Sequence, residues 1–243
     1  MSFQSAVFQD KTGISESAAY RFIALFHQTK GLFCVALAGG STPTLLYTLL
    51  AEPRCRDSVD WARIHLFFGD ERAVPPDALD SNYRTAHETL LSKVPLPAEN
   101  IHRVRGESAD LDSEAYRYEA EIRTLFRDAT VPSFDLVLLG MGADGHCASL
   151  FPHKASLSEH NRLVTPAEPG LHPFVPRLTF TYPLLNMAKQ TLFLVSGADK
   201  AETLVQVLEG EPRPLDLPAQ AVQPIHGKVT WLLDKSAARQ LSR

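Results

Sequence analysis

No stretch of this 243-residue chain approaches the ~20 consecutive apolar residues of a membrane-spanning helix. The start, Met-Ser-Phe-Gln-Ser-Ala-Val-Phe-Gln-Asp, has no basic segment followed by an apolar core. No secretory signal is therefore expected, and the chain reads as cytoplasmic. Cysteine is scarce: Cys34, Cys55 and Cys147 are odd in number, far apart, and form no C-x-x-C pair. That pattern argues against a disulfide framework and fits a reducing compartment. An excess of positive charge is also missing. The net charge of −4 gives no global attraction to nucleic acid or to an anionic membrane, so any anion site must be local.

Signatures of several chemistries are absent too. There is no G-x-x-x-x-G-K-[ST] phosphate loop and no G-x-S-x-G turn carrying a serine nucleophile. His146, His153 and His160 are spaced by seven beside Cys147, which would stack them on a helix, but Pro152 interrupts that helix and no second ligand cluster follows. The sequence therefore predicts neither a metal site nor a cofactor.

What is present is a set of short apolar runs at 33–38, 64–68, 134–139, 178–181, 191–195 and 229–233, each of strand length. Stretches at 14–28, 42–50, 83–91, 111–126 and 200–208 alternate with many of them. In the first of these, Ala19, Phe22, Ile23 and Phe26 recur at helical spacing. Strands alternating with helices predict an α/β fold: a doubly wound, mostly parallel, Rossmann-like sheet with helices on both faces. Near-continuous apolar strands agree with burial on both sides. Strand-like runs continue across the proline-rich connections at 166–176 and 212–224, so residues 1–243 read as one domain. Hydrophobic residues at 44% are enough for a sizeable core.

Ligands of open parallel sheets bind beyond the carboxyl ends of the strands, and those ends carry the informative residues. After residue 38 comes Gly39-Gly40-Ser41-Thr42-Pro43 and a helix. Glycines admit close approach of an anion, Ser41 or Thr42 can cap, and the helix N-terminus attracts phosphate. After residue 68 comes Gly69-Asp70-Glu71-Arg72, where Arg72 can clamp an anion with its forked donors and Asp70 can accept from hydroxyls or orient Arg72. Next is Asp80-Ser81-Asn82-Tyr83-Arg84, with a helix cap among its first three residues. Arg177 precedes the run at 178–181, and Lys200 enters the first turn of a helix, where the dipole disfavours a cation unless an anion is present.

The loop after residue 139 spells G-x-G-x-x-G through Gly140, Gly142 and Gly145. As a dinucleotide fingerprint it conflicts with its surroundings. Asp144 would repel a pyrophosphate, Pro152 shortens the following helix, and no acidic residue ends a next strand about 20 residues on. As a tight turn it delivers Asp144 and His146 to the strand-end crevice. Histidine titrates near neutrality (reference pKa ~6.5), so His146 is a candidate general base.

In order along the chain, the segments 37–43, 67–72, 80–84, 140–152, 176–181, 196–200 and 217–234 resemble the 6-phosphogluconolactonases. These belong to the glucosamine/galactosamine-6-phosphate isomerase superfamily. The first two segments are shared with glucosamine-6-phosphate deaminases, which continue after Asp-Gly-His through an Asn-Glu-Pro-Gly-like sequence whose Glu assists ring opening. Here Cys-Ala-Ser-Leu-Phe-Pro-His follows instead.

The resemblance implies metal-independent hydrolysis of 6-phosphoglucono-δ-lactone in the oxidative pentose phosphate pathway. His146 would be the general base and Asp144 its orienting partner. Gly40, Ser41, Thr42, Arg72, Arg177 and Lys200 would contact phosphate and sugar, and Asp70 and Asn82 would contact hydroxyls or support Arg72. It further implies a small phosphosugar lactone as ligand, no nucleic-acid or membrane partner, and a monomer or small homo-oligomer. The alternatives are the deaminase/isomerase and a non-catalytic sugar-phosphate sensor.

Overall fold

In the computed structural model, residues 4–127 and 131–242 are described. The strands are β1 (Gln4–Phe8), β2 (Phe33–Leu37), β3 (Ile64–Phe68), β4 (Asp70–Arg72), β5 (Ile101–His102), β6 (Leu136–Leu139), β7 (Val164–Ala167), β8 (Arg177–Phe180), β9 (Gln190–Val195) and β10 (Lys228–Asp234). The helices are α1 (Lys11–Gln28), α2 (Ser41–Ala51), α3 (Pro53–Arg56), α4 (Asn82–Ala86), α5 (Leu111–Leu125), α6 (Tyr182–Leu185) and α7 (Ala201–Glu209).

Seven strands form one sheet in the order β1-β10-β9-β6-β2-β3-β5, and every neighbouring pair is parallel. The apolar runs of β2, β6 and β9 pack on both sides, which is why they lack polar alternation. The two covering layers can be read from side-chain parity. Phe33, Val35 and Leu37 point to one face of β2 with their β3 partners Ile64, Leu66 and Phe68. Phe22 and Phe26 of α1 meet Phe33 edge to face at 5.3 and 6.0 Å. Phe67 points the other way, where it contacts Tyr118 of α5 and Phe134. Helices thus lie on both faces, as the alternation of elements predicts.

From β2 the chain winds outward through β3 to β5, and from β6 it winds the opposite way through β9 to β10. The winding reverses between β2 and β6, so the crevice beyond their carboxyl ends is the expected ligand site.

The strand at 177–180 departs from expectation. It lies outside the parallel sheet, in a three-stranded antiparallel sheet ordered β4-β8-β7. Gly69 marks the transfer: its N–H donates to Leu37 O at 2.9 Å, and its carbonyl accepts from Phe180 N at 2.8 Å. The chain leaving β3 therefore passes directly into β4. Phe180 joins the small sheet to the main core by packing on Phe134 and Tyr118. Hydropathy could not separate the two sheets, because both bury their strands. Among the described residues, no helix is long and apolar enough to cross a membrane.

Candidate active site

A cleft of about 250 Å3 opens at the predicted crevice. It is lined from the ends of β2, β3, β6 and β9 and from the small sheet above them. Gly40, Ser41, Thr42, Asp70, Arg72, Asn82, His146, Arg177 and Lys200 all line it, so residues spread over 160 positions of sequence converge on one space. Asp144 stands behind His146.

The β2 end supplies a helix N-terminus. Gly40, at φ +103°, occupies the cap position of α2, and no side chain caps the helix. The expectation that Ser41 or Thr42 caps is thereby corrected: both lie inside the first turn. A positive φ is open to glycine at little cost, and the absence of a side-chain cap leaves first-turn N–H groups facing the cleft. That arrangement favours an anion.

The β3 end supplies the Asp-Glu-Arg segment, and its three side chains divide the work. Asp70, buried, accepts from Ser149 Oγ at 2.6 Å and from Asn82 Nδ2 at 3.3 Å. Asn82 also donates to the Asp70 carbonyl at 2.9 Å, so it supports Asp70 rather than Arg72. Glu71 turns inward. Its carboxylate accepts from the backbone N–H groups of Arg72, Asn82 and Tyr83, each at 2.8 Å, and from Ser81 Oγ at 3.1 Å. Burial lifts its carboxyl above the ordinary value against the opposing pull of those N–H bonds. Glu71 therefore ties the Asp-Glu-Arg segment to the start of α4, whose cap is Ser81.

Arg72 and Arg177 sit directly opposite each other across β4 and β8. Neither guanidinium forms an ion pair among the described residues. Arg72 donates to Asp80 O at 2.6 Å, and Arg177 to Leu171 O and Pro173 O at 3.1 Å. The Nε atoms of both are buried without a partner. Burial draws the Arg177 guanidinium below its usual range; Asp70 opposes this and Arg72 reinforces it. Like charges opposite one another in a sheet repel, and a bound anion between them would relieve the cost. Lys200, rather than lying within a first helical turn, caps α7 after a short 3-10 turn, with its Nζ 3.1 Å from Asp199.

The β6 end supplies the histidine. Asp144 Oδ1 lies 2.6 Å from His146 Nδ1 and also accepts from the His146 N–H at 3.2 Å. Burial opposes ionisation of Asp144, but the bond to His146 and its charge prevail and hold the carboxyl below the ordinary value. An ionised carboxylate only accepts, so Nδ1 carries the proton and Nε2 is left as a free base in the neutral ring.

The glycines of this loop serve the pair rather than a nucleotide. A Cβ on Gly142 would sit 2.1 Å from His146 Nδ1 and 2.5 Å from Asp144 Oδ1. Gly145 takes φ +81° and lies against Leu217. No helix follows; Cys147 and Leu150 form an isolated bridge instead, so the helix that a dinucleotide fingerprint requires is not there. Cys147 is fully buried, and burial raises its thiol far above the ordinary value, which makes it an inert core group.

Three residues of the site carried no signal of their own in the sequence. Ser149 bonds Asp70, Phe151 packs on the His146 ring at 4.4 Å, and Ser196 lines the cleft. Ser149 and Phe151 lie in the Cys-Ala-Ser-Leu-Phe-Pro-His stretch that carries the family resemblance, but nothing there assigned either a role.

The family model describing glucosamine-6-phosphate isomerases and 6-phosphogluconolactonase matches residues 9–231. The chain is 44% identical to a 6-phosphogluconolactonase of Synechocystis sp. over 214 residues, covering 87% of this chain and 86% of that one. Among solved structures, a devB protein superposes with a TM-score of 0.92 at 34% identity, covering 99% of this chain and all of the other. A 6-phosphogluconolactonase from Thermotoga maritima superposes with a TM-score of 0.83 at 34% identity, covering 96% of this chain and all of the other.

Proposed function

The chain belongs to the glucosamine-6-phosphate isomerase/6-phosphogluconolactonase family, and on that footing we propose that it hydrolyses 6-phosphoglucono-δ-lactone with His146 as the general base. The observation that carries this reading is the Asp144–His146 pair, 2.6 Å apart, set in a cleft that also offers an uncapped helix N-terminus and two arginines that form no ion pair among the described residues. The first part is suited to moving a proton and the second to holding a phosphate.

In the proposed reaction the phosphate is held by the first turn of α2 with Arg72, Arg177 and Lys200. Binding energy from this remote group positions the lactone carbonyl. His146 Nε2 takes a proton from water as the water oxygen bonds to C1. The tetrahedral intermediate then collapses: the bond from C1 to the ring oxygen breaks, and the imidazolium returns its proton to that oxygen. The products are the open-chain hydroxyl and a carboxylic acid that ionises. Asp144 stays ionised throughout and stabilises the imidazolium. An activated ester suits a histidine acting on water without a covalent enzyme intermediate.

The test is turnover of freshly generated lactone, corrected for its spontaneous hydrolysis, in wild type and His146→Ala. Loss of a general base costs ~10²–10⁴ in rate; the variant is expected to fall by that factor while still binding 6-phosphogluconate. Near-wild-type turnover of His146→Ala would reject the role. Ammonia release from glucosamine 6-phosphate would instead mark a deaminase, and sugar-phosphate binding without any turnover a sensor.

A further inference from the structure

We infer that Phe151 is a positioning residue for His146, one that sets the plane of the imidazole. The inference rests on His146 being the general base. Asp144 fixes one ring nitrogen, but a single hydrogen bond leaves the ring free to tilt about it. The Phe151 ring removes that freedom: its centroid lies 4.4 Å from that of His146, with the planes inclined by 38°. Phe151 itself has no room to move, being 1% exposed.

The local backbone is bent to make this contact. Ala148 takes φ +48°, a left-handed conformation uncommon for a residue with a Cβ. Leu150 N–H returns to Cys147 O at 3.0 Å, and this turn brings residue 151 back over residue 146. Gly170 packs against the same ring: a Cβ there would lie 2.3 Å from Phe151 Cδ1. The segment carrying Gly170 is held in turn by Arg177, which donates to Leu171 O and Pro173 O and places its guanidinium carbon 5.1 Å from the Phe151 centroid. One ring therefore touches the base and the arginine of the anion site. The face of an aromatic ring attracts a cation, so this contact gains strength when His146 becomes imidazolium in the transition state.

The charged groups around the imidazole are Asp144 on Nδ1 and, along the same cleft, Asp70, Arg72, Arg177 and Lys200. Phe151→Leu and Gly170→Ala keep every one of these charged groups, although Phe151→Leu also removes the ring that Arg177 contacts. Each variant is expected to lower kcat roughly 2- to 30-fold, the range of a cation–π contact; any accompanying change in KM reports the contact of the same ring with Arg177. The ¹⁵N signals of the His146 ring, read without substrate, should shift from a single Nδ1–H tautomer toward a mixture. Phe151→Leu with wild-type kcat and wild-type ring signals overturns the inference. If that variant does not fold, Gly170→Ala decides by the same readouts. A failure of the general-base role is distinguishable: His146→Ala would then retain turnover, while the ring signals would still report whether Phe151 orients the imidazole.

Discussion

Replacing Gly142 by alanine is expected to cost the protein most of its turnover without costing it its fold. The added methyl would lie 2.1 Å from His146 Nδ1, 2.3 Å from Cε1 and 2.5 Å from Asp144 Oδ1, inside the space that their hydrogen bond occupies. No real Cβ sits that close to a neighbour, so the imidazole, the carboxylate or both must swing away. Gly142 has no left-handed φ, so the substitution is not strained by backbone conformation. The loop is also anchored elsewhere, by Gly142 N–H to His146 O at 2.9 Å and by Thr203 Oγ1 to Ala143 O at 2.6 Å. The damage is therefore confined to the pair. A hydrogen bond to a charged group is worth ~1.5–3 kcal/mol, and because this one stabilises the imidazolium of the transition state, its loss corresponds to roughly 10- to 150-fold in kcat. The assay is steady-state lactone hydrolysis with an enzyme-free control, beside a thermal melt and a binding curve for 6-phosphogluconate. Unchanged melting and binding with a fall in kcat is the expected result. A kcat within twofold of wild type would refute the reasoning, since the pair would then be dispensable or the alanine accommodated.

Asp144→Asn should reduce kcat by about 10²-fold or more through loss of the tautomer and of the counter-charge, with steady-state lactone hydrolysis as the check. The depressed Asp144 carboxyl also contributes to stability: its contribution is present above the ordinary value of 3.8 and is lost as pH falls through the lower folded value, which an acid titration of wild type against the Asn variant would reveal. Arg177→Ala should raise KM roughly 10- to 150-fold and reduce the rise in melting temperature expected of the wild type with inorganic phosphate; an equal rise in the variant would remove Arg177 from the anion site. Glu71→Gln sets an NH2 group against donors at the start of α4. It should destabilise by ~1–3 kcal/mol, lowering Tm by about 2–12 °C, and an unchanged melt would contradict the four-bond anchor.

Much of the fold was legible because its signals are local. The helix at 14–28 is α1 with one further turn at its start, since apolar spacing of 3.6 needs no distant partner to be read. The helix at 83–91 was harder: α4 ends at Ala86 and the chain continues as a wider π turn over His87–Leu91, a change of hydrogen bonding that leaves the apolar pattern almost unaltered. Strands β1, β4, β5 and β7 left little trace. β1 is an edge strand with exposed residues, while β4 and β5 have three and two residues, too few for a period of two to show. In the site, glycines and charged residues after apolar runs marked the strand ends well. The roles within one segment did not show: Asp70, Glu71 and Arg72 are adjacent, yet one faces the cleft against Ser149, one anchors α4 and one reaches Asp80.

By itself, then, the sequence determined the class of the fold, the strand ends at which chemistry would lie, and the glycine-rich turn that carries both Asp144 and His146. All of these depend on residues close together in the chain, where spacing and backbone geometry are enough. Only the tertiary structure decided that Arg72 and Arg177 stand in register, that Ser149 reaches Asp70, and that Phe151 contacts both His146 and Arg177. Those facts depend on the chain leaving β3 at Gly69 to enter a second, antiparallel sheet. A buried antiparallel strand and a buried parallel one share the same apolar composition, so the choice between them is made by long-range hydrogen bonding and packing rather than by any local pattern.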